Sequence, residues 1–312
     1  LSKRPGSPRK KSCQKTLFDR PVIVLAAPRS GSTLLFETLA EAPGVWTVGG
    51  ESHQFIEGIR SLNPRSGRVA SNRLEAVHAT QNIIDELHRR FKAGLRDRDE
   101  NTLRSRATPG NLRFLEKTPK NALRQPFLEK VFPGALYIYL YREPEPSISS
   151  MMEAWKSGRW ITYPRLRGWR GPAWSLLLPP GYSELSGRPL AEICAFQWES
   201  ANRIILDDLE KLPAGRWTAC SYGELVSNPE KLITRICDFA DLEVDSRLQQ
   251  RISGNLPHSR FTHTPPDPQK WRKNEAEILP ALDCLETTRK RCLRVLEAVK
   301  AAGKTPCSKS AP

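Results

Sequence analysis

Residues 21–35 read Pro21-Val22-Ile23-Val24-Leu25-Ala26-Ala27-Pro28-Arg29-Ser30-Gly31-Ser32-Thr33-Leu34-Leu35. The apolar run Val22–Leu25 is β-branched and short, which predicts a strand buried on both faces. Pro28-Arg29-Ser30-Gly31 predicts a tight turn. Leu34, Leu35 and Leu39 then recur at helical spacing. A strand, a glycine-bearing turn and a helix start make an anion site, because free backbone N–H groups and the helix dipole both favour negative charge there. Arg29, Ser30, Ser32 and Thr33 add cationic and hydroxyl donors to the same few residues.

The Walker pattern ends in Gly-Lys-Ser/Thr, with the lysine on the outer phosphates and the hydroxyl on magnesium. Here Gly31 is followed by Ser32-Thr33. Without the lysine, a triphosphate–magnesium site loses a main charge. Pro28–Leu35 instead resembles the 5′-phosphosulfate loop of sulfotransferases that use 3′-phosphoadenosine 5′-phosphosulfate (PAPS).

Four later segments bear on this reading, and the last three extend the resemblance. Phe114-Leu115-Glu116-Lys117-Thr118-Pro119 predicts a strand ending at Lys117, where α/β sheets hold ligands, with Pro119 opening the next turn. Ala135 to Arg142 predicts another strand, followed by a proline-started helix carrying Ser147 and Ser150. A strand-end arginine beside helix-start serines reads as a second phosphate site, and the spacing of Arg142 and Ser150 is similar to the 3′-phosphate motif of the same family. Trp217 to Tyr222 predicts a strand. The Tyr222-Gly223-Glu224-Leu225…Pro229 run after it resembles the family segment whose tyrosine lies beside adenine. Trp271-Arg272-Lys273 closes a proline-rich loop that includes Thr264-Pro265-Pro266, and it is similar to a flap that folds over the nucleotide.

The resemblance implies an α/β, three-layer, P-loop-like fold with a central parallel sheet flanked by helices. It implies sulfuryl transfer from PAPS to a hydroxyl acceptor. Arg29, Ser30, Gly31, Ser32 and Thr33 would hold the 5′-phosphate, and Lys117 would approach the bridging oxygen. Arg142 and Ser150, with Arg272 and Lys273, would hold the 3′-phosphate, and Tyr222 and Trp271 would line the nucleotide. No metal is required. The two glycines of Gly49-Gly50-Glu51-Ser52-His53 suggest a bend that brings Glu51 and His53 towards the transferred group. Glu51 is the first candidate for the base and His53 the second, with burial expected to tune the base upward.

With 312 residues, 38% apolar and 27% charged, the chain suits one large α/β domain. We expect residues 1–18 to be a disordered basic tail, 19–302 the transferase domain and 303–312 a second tail. The aromatic-rich stretch 155–190 reads as an acceptor-side insertion or lid, or as local packing. Leu74, Val77, Ile83, Ile84, Leu87 and Phe91 suggest a packing helix, and Glu275 to Ala301 a closing one. No apolar run approaches the ~20 residues of a membrane span. The seven scattered cysteines lack any Cys-x-x-Cys pair, which fits a reducing, cytoplasmic compartment. The net charge of +15 points to an anionic partner. Two other classes stay open, a P-loop kinase-like phosphotransferase from the loop and a basic nucleic-acid-binding protein from this charge and the basic tail. Neither predicts the Arg142/Ser150 and Tyr222 segments, so no specific nucleic acid is expected. Acceptor identity and oligomeric state are not encoded in any motif.

Overall fold

A computed structural model describes residues 17–103, 112–260 and 267–302. Most of the basic tail 1–18, the tail 303–312 and Thr264-Pro265-Pro266 lie outside the described residues.

The opening stretch forms β1 (Val22–Ala26), and every one of its residues is buried. It is the middle strand of a five-stranded sheet. With β2 (Val45–Trp46), β3 (Arg113–Lys117), β4 (Leu136–Tyr141) and β7 (Trp217–Ser221), the order is β2-β3-β1-β4-β7. All four pairings are parallel, and Val22 faces Leu115 on one side and Leu136 on the other.

Because side chains alternate along a strand, β1 serves two cores. Val22, Val24 and Ala26 pack with α1 (Ser32–Leu39), α8 (Pro229–Ala240) and α9 (Ser246–Ile252). Ile23 and Leu25 face α3 (Gln81–Gly94), α4 (Gln125–Val131), α5 (Pro144–Lys156), α6 (Leu190–Leu209) and α11 (Glu286–Ala302). The result is a helix–sheet–helix sandwich. Cys194, Cys220 and Cys237 are buried within it.

The chain leaves β1 towards β2 and leaves β4 towards β7, so the direction of winding changes between β1 and β4. Ligand crevices of open α/β sheets form at such switch points, at the carboxyl ends of the strands.

Two expectations need correction. The pattern from Leu74 to Phe91 is not one helix. Only α3 is helical in the α sense, Leu74 is buried in the loop before it, and Val77 is 78% exposed. The closing helix is interrupted: α10 (Glu275–Ile278) gives way to 3₁₀ turns at 279–281 and 283–285 before α11. Pro280 accounts for the break, since its missing N–H and its ring disrupt an α-helical turn. The stretch 155–190 has structure of its own. A hairpin of β5 (Ile161–Tyr163) and β6 (Trp174–Ser175) carries Trp174, whose ring meets Trp155, Trp169 and Tyr182 edge-on. Those four aromatics are local packing, whereas Trp160 lies under the Arg29 guanidinium and the buried Tyr163 bonds to Glu57 and Lys120. No helix among the described residues is long and apolar enough to cross a membrane.

Candidate active site

At the carboxyl end of β1 the backbone turns through Arg29, with φ 63°, and Gly31, with φ 89°. The left-handed conformation costs a non-glycine residue about 1 kcal/mol, and such strain concentrates at functional sites. Gly31 has a steric reason as well: a Cβ there would meet the Tyr222 ring at 2.3 Å. Gly31 is the N-cap of α1 and supplies no side-chain cap, so the first N–H groups of the helix keep their capacity for an anion.

Arg142, just beyond β4, donates from NH1 to the Arg29 carbonyl at 2.9 Å and lies 4.3 Å over the Tyr222 ring. Arg29 Nε donates to Ser150 Oγ at 3.1 Å, and its guanidinium sits over Trp160 at 5.4 Å. Trp198 Nε1 fixes the strand end by donating to the Arg142 carbonyl at 3.1 Å. Arg29, Gly31, Arg142, Ser150 and Tyr222, spread over nearly 200 residues of sequence, therefore form one contact cluster at the switch point. Trp160 joins it, a residue the sequence offered only as part of an aromatic-rich stretch.

This cluster is cationic and under-satisfied. Burial depresses the affinity of both Arg29 and Arg142 for their protons, and neither forms an ion pair with a carboxylate among the described residues. Ser30 Oγ, Arg142 Nε and Ser147 Oγ are buried without hydrogen-bond partners. Buried donors left this way cost ~1–3 kcal/mol each, and anionic oxygens would satisfy them.

On the α1 side of the sheet, Lys117 Nζ donates to Thr33 Oγ1 at 3.0 Å and to Glu51 Oε1 at 2.7 Å. The other Glu51 oxygen, Oε2, meets His53 Nε2 at 2.7 Å. The expected upward tuning of Glu51 is overturned. Burial does act upward, but the His53 hydrogen bond and the Lys117 charge outweigh it and pull the carboxyl down to about 2. Ser52, between these two residues, turns the other way: its N–H donates to Thr118 Oγ1 at 2.8 Å and its hydroxyl to Glu116 Oε1 at 2.6 Å.

A second polar cluster, with no local signal in the sequence, lies behind the pair. Glu57 ends α2 (His53–Glu57). Its carboxylate accepts from Lys120 at 2.6 Å, Arg124 at 2.7 Å, Tyr163 at 3.0 Å and Asn72 at 3.1 Å. Lys120 also donates to the Tyr163 hydroxyl at 3.1 Å. Burial brings the Lys120 ammonium down to about 8 against the pull of Glu57.

The predicted flap residues stand apart. Arg272 stacks on Trp271 and pairs with Glu275 at 3.0 Å, and Lys273 pairs with Glu153 at 2.7 Å. Neighbouring Asn274 donates to Ser149 Oγ at 2.9 Å, so the segment docks on α5. None of the three flap side chains shares a hydrogen bond or ion pair with Arg29, Arg142 or Ser150 among the described residues.

The pattern of the Sulfotransferase family matches residues 21–246, a span that holds the loop, Glu51, Lys117, Arg142, Ser150 and Tyr222 and ends before the flap. The chain is similar to protein-tyrosine sulfotransferase A of Caenorhabditis elegans, at 24% identity over 237 residues that cover 73% of this chain and 51% of that protein. It thus spans about half the length of this curated relative. Among solved structures it is similar to the sulfotransferase domain of the Synechococcus PCC 7002 olefin synthase, at 23% identity, 83% coverage of this chain and 90% of that one, with a TM-score of 0.44. It is also similar to mouse sulfotransferase SULT7A1 complexed with PAP, at 14% identity, 93% and 94% coverage, with a TM-score of 0.48. A family pattern that runs through most of the sequence and through both ends of the crevice makes the chain a member of the sulfotransferase family.

Proposed function

We propose that this protein transfers a sulfuryl group from PAPS to an acceptor hydroxyl and releases 3′-phosphoadenosine 5′-phosphate. The observation that carries the reading is the Arg29–Arg142–Ser150–Tyr222 cluster around Gly31, which joins the ends of two adjacent strands. Its two arginines lack carboxylate partners among the described residues, and its buried donors await acceptors. A nucleotide with phosphates at both ends of the ribose fits such a site.

PAPS supplies an activated S–O bond. The chain's own groups do the rest by positioning and charge stabilisation. The first turn of α1, with Arg29, Ser30, Ser32 and Thr33, holds the 5′-phosphate. Arg142 and Ser150 hold the 3′-phosphate, and Tyr222 lines the nucleotide side of the crevice. Glu51 takes the acceptor's proton as the acceptor oxygen bonds to sulfur and the bond from sulfur to the phosphate oxygen breaks. Lys117 neutralises the charge that grows on that phosphate oxygen.

The free protein holds Lys117 on Glu51 at 2.7 Å, and this contact gives the two roles a common control. When Lys117 turns to the leaving oxygen, Glu51 loses one of the two partners that hold its proton affinity down. The base therefore strengthens as the leaving group takes up charge. His53 keeps the second carboxylate oxygen in place.

Calorimetric titration with 3′-phosphoadenosine 5′-phosphate beside ADP, without magnesium, tests the reading. Tight binding of the first and weak binding of the second support it. Equal binding, or binding of ATP only with magnesium, overturns it and favours a phosphotransferase. In the Glu51→Gln variant the same titration is expected to change little while turnover is lost; wild-type kcat in that variant would move the base to His53.

A further inference from the structure

The loop that carries Glu51 and His53 is tied to the sheet through Ser52 as well as Glu51, and the Ser52 tether ends on a carboxyl group completely inside the protein. Glu116 is fully buried on β3. Three donors converge on a single oxygen of it, Oε1: Ser52 Oγ at 2.6 Å, Thr118 Oγ1 at 2.8 Å and Asn121 Nδ2 at 3.0 Å. Its other oxygen, Oε2, is buried and bonded to nothing, and so is Asn121 Oδ1.

These two orphans are both acceptors on groups already joined by the Asn121 Nδ2 hydrogen bond. An ionised carboxylate leaves both stranded. A proton on Oε2 turns one of them into a donor, and the acid and amide can then pair through both of their edges, as a carboxylic acid and a carboxamide do. The charged groups around Glu116 leave room for this. Lys117 follows it on the strand but points to the opposite face, towards Thr33 and Glu51. The other groups bonded to Glu116 are neutral hydroxyls and an amide. Burial accordingly pushes the carboxyl up, against the hydrogen bonds of Ser52 and Thr118 and the Lys117 charge.

We propose that Glu116 is a neutral carboxylic acid with its proton on Oε2 directed at Asn121, and that this uncharged clamp, through Ser52, positions Glu51 and His53. Glu116 and Ser52 are positioning residues. β3 thus grips the loop from both faces: Glu116 and Thr118 hold Ser52, and Lys117 holds Glu51. A neutral clamp has a physical advantage, because a second carboxylate beside the base would repel its charge and blur its proton affinity. The link from the clamp to the base rests on the functional reading above; the protonation state does not.

Two spectroscopic measurements on the full chain test the proposal without turnover. In infrared difference spectra at pH 7, wild type minus Glu116→Gln, a carboxylic-acid C=O band is expected. Glutamine offers the same pattern, one acceptor and one donor edge, so this variant should keep its thermal midpoint within about 2 °C and keep the ¹⁵N signal of His53 Nε2. Ser52→Ala should shift that ¹⁵N signal, as the imidazole loses its fixed carboxylate, while affinity for 3′-phosphoadenosine 5′-phosphate stays within about twofold. Thr118→Val, which removes the acceptor for the Ser52 N–H, gives the same reading should Ser52→Ala fail to fold. Absence of the acid band, or a carboxylate band in its place, overturns the neutral clamp. An unchanged His53 signal in Ser52→Ala and Thr118→Val overturns the positioning role. Failure of the wild type to bind 3′-phosphoadenosine 5′-phosphate would sink the sulfuryl-transfer reading and leave the acid band standing.

Discussion

Two glutamates lie on either side of the same loop, and the protein treats them in opposite ways. Glu57 and Glu116 each gather hydrogen-bond donors in the interior. Burial raises the proton affinity of both, yet the net direction is downward for Glu57 and upward for Glu116. The partners make the difference. Glu57 faces the Arg124 guanidinium and the Lys120 ammonium, whereas Glu116 is bonded only by hydroxyls and an amide. At Glu116 the hydrogen bonds from neutral groups do not offset the desolvation of the carboxylate, whereas at Glu57 two cations do. One cluster is an ionic strut that ties α2 to the β5–β6 hairpin. The other is an uncharged clamp on the loop that holds the candidate base.

Glu57→Gln should break this contrast most severely. It leaves Lys120 and Arg124 buried with no counter-charge, an arrangement that costs about 3–5 kcal/mol, readable as a lower midpoint in urea unfolding. Tyr163→Phe should cost less, about 1–2 kcal/mol, because it removes the hydroxyl that bridges Lys120, Glu57 and Asn72 but leaves both ion pairs. Glu116→Gln should cost under about 1 kcal/mol, since a carboxamide keeps the acceptor oxygen for the three donors and a donor on the Asn121 side. If Glu116→Gln proves as damaging as Glu57→Gln, the two carboxyl groups are both ionised and the comparison fails.

The pH dependence of stability should separate them by sign. Glu57 has a folded-state value below the ordinary 4.5, so the unfolded chain binds the extra proton. Its contribution is present above 4.5 and is lost as pH falls through the folded value. Glu116 has a folded-state value above 4.5, so the native state binds the extra proton. Its contribution is full below 4.5 and declines as pH rises from there through the folded value. Urea midpoints measured across this range should therefore converge for wild type and Glu57→Gln towards acid pH. For wild type and Glu116→Gln they should shift in favour of the variant as pH rises. A shared slope for the two variants would contradict the assignment.

The fold and the meeting of Arg29, Arg142, Ser150 and Tyr222 at one strand end were largely legible in the sequence, for a local reason. Strands buried on both faces show as unbroken β-branched runs, and the loop chemistry of Pro28–Thr33, Arg142–Ser150 and Tyr222 is written within a few residues at each place. Long-range polar pairing has no such local signal. Glu116 beside Lys117 on a strand reads as an ordinary charged pair, and its partner Ser52 is far away in sequence. Tyr163 was hidden among six aromatics of one irregular stretch, four of which pack on one another. The direction of the Glu51 shift was missed for the same reason: burial is readable from a motif's place in the fold, but the His53 hydrogen bond and the Lys117 charge that overrule it are known only once both side chains are in place.

The central position of β1 has a consequence for how the protein is made. The strand leaves the ribosome before either of its neighbours, which begin at Arg113 and Leu136. At ordinary rates of synthesis the stretch Val22–Ala26 waits on the order of ten seconds for both partners. Throughout that time an apolar segment with open edges faces the solvent, as aggregation-prone segments do. Yield in the cell should therefore respond to the speed of translation between residues 27 and 141, and to chaperones that bind short apolar strands, more than to substitutions that only trim the final stability.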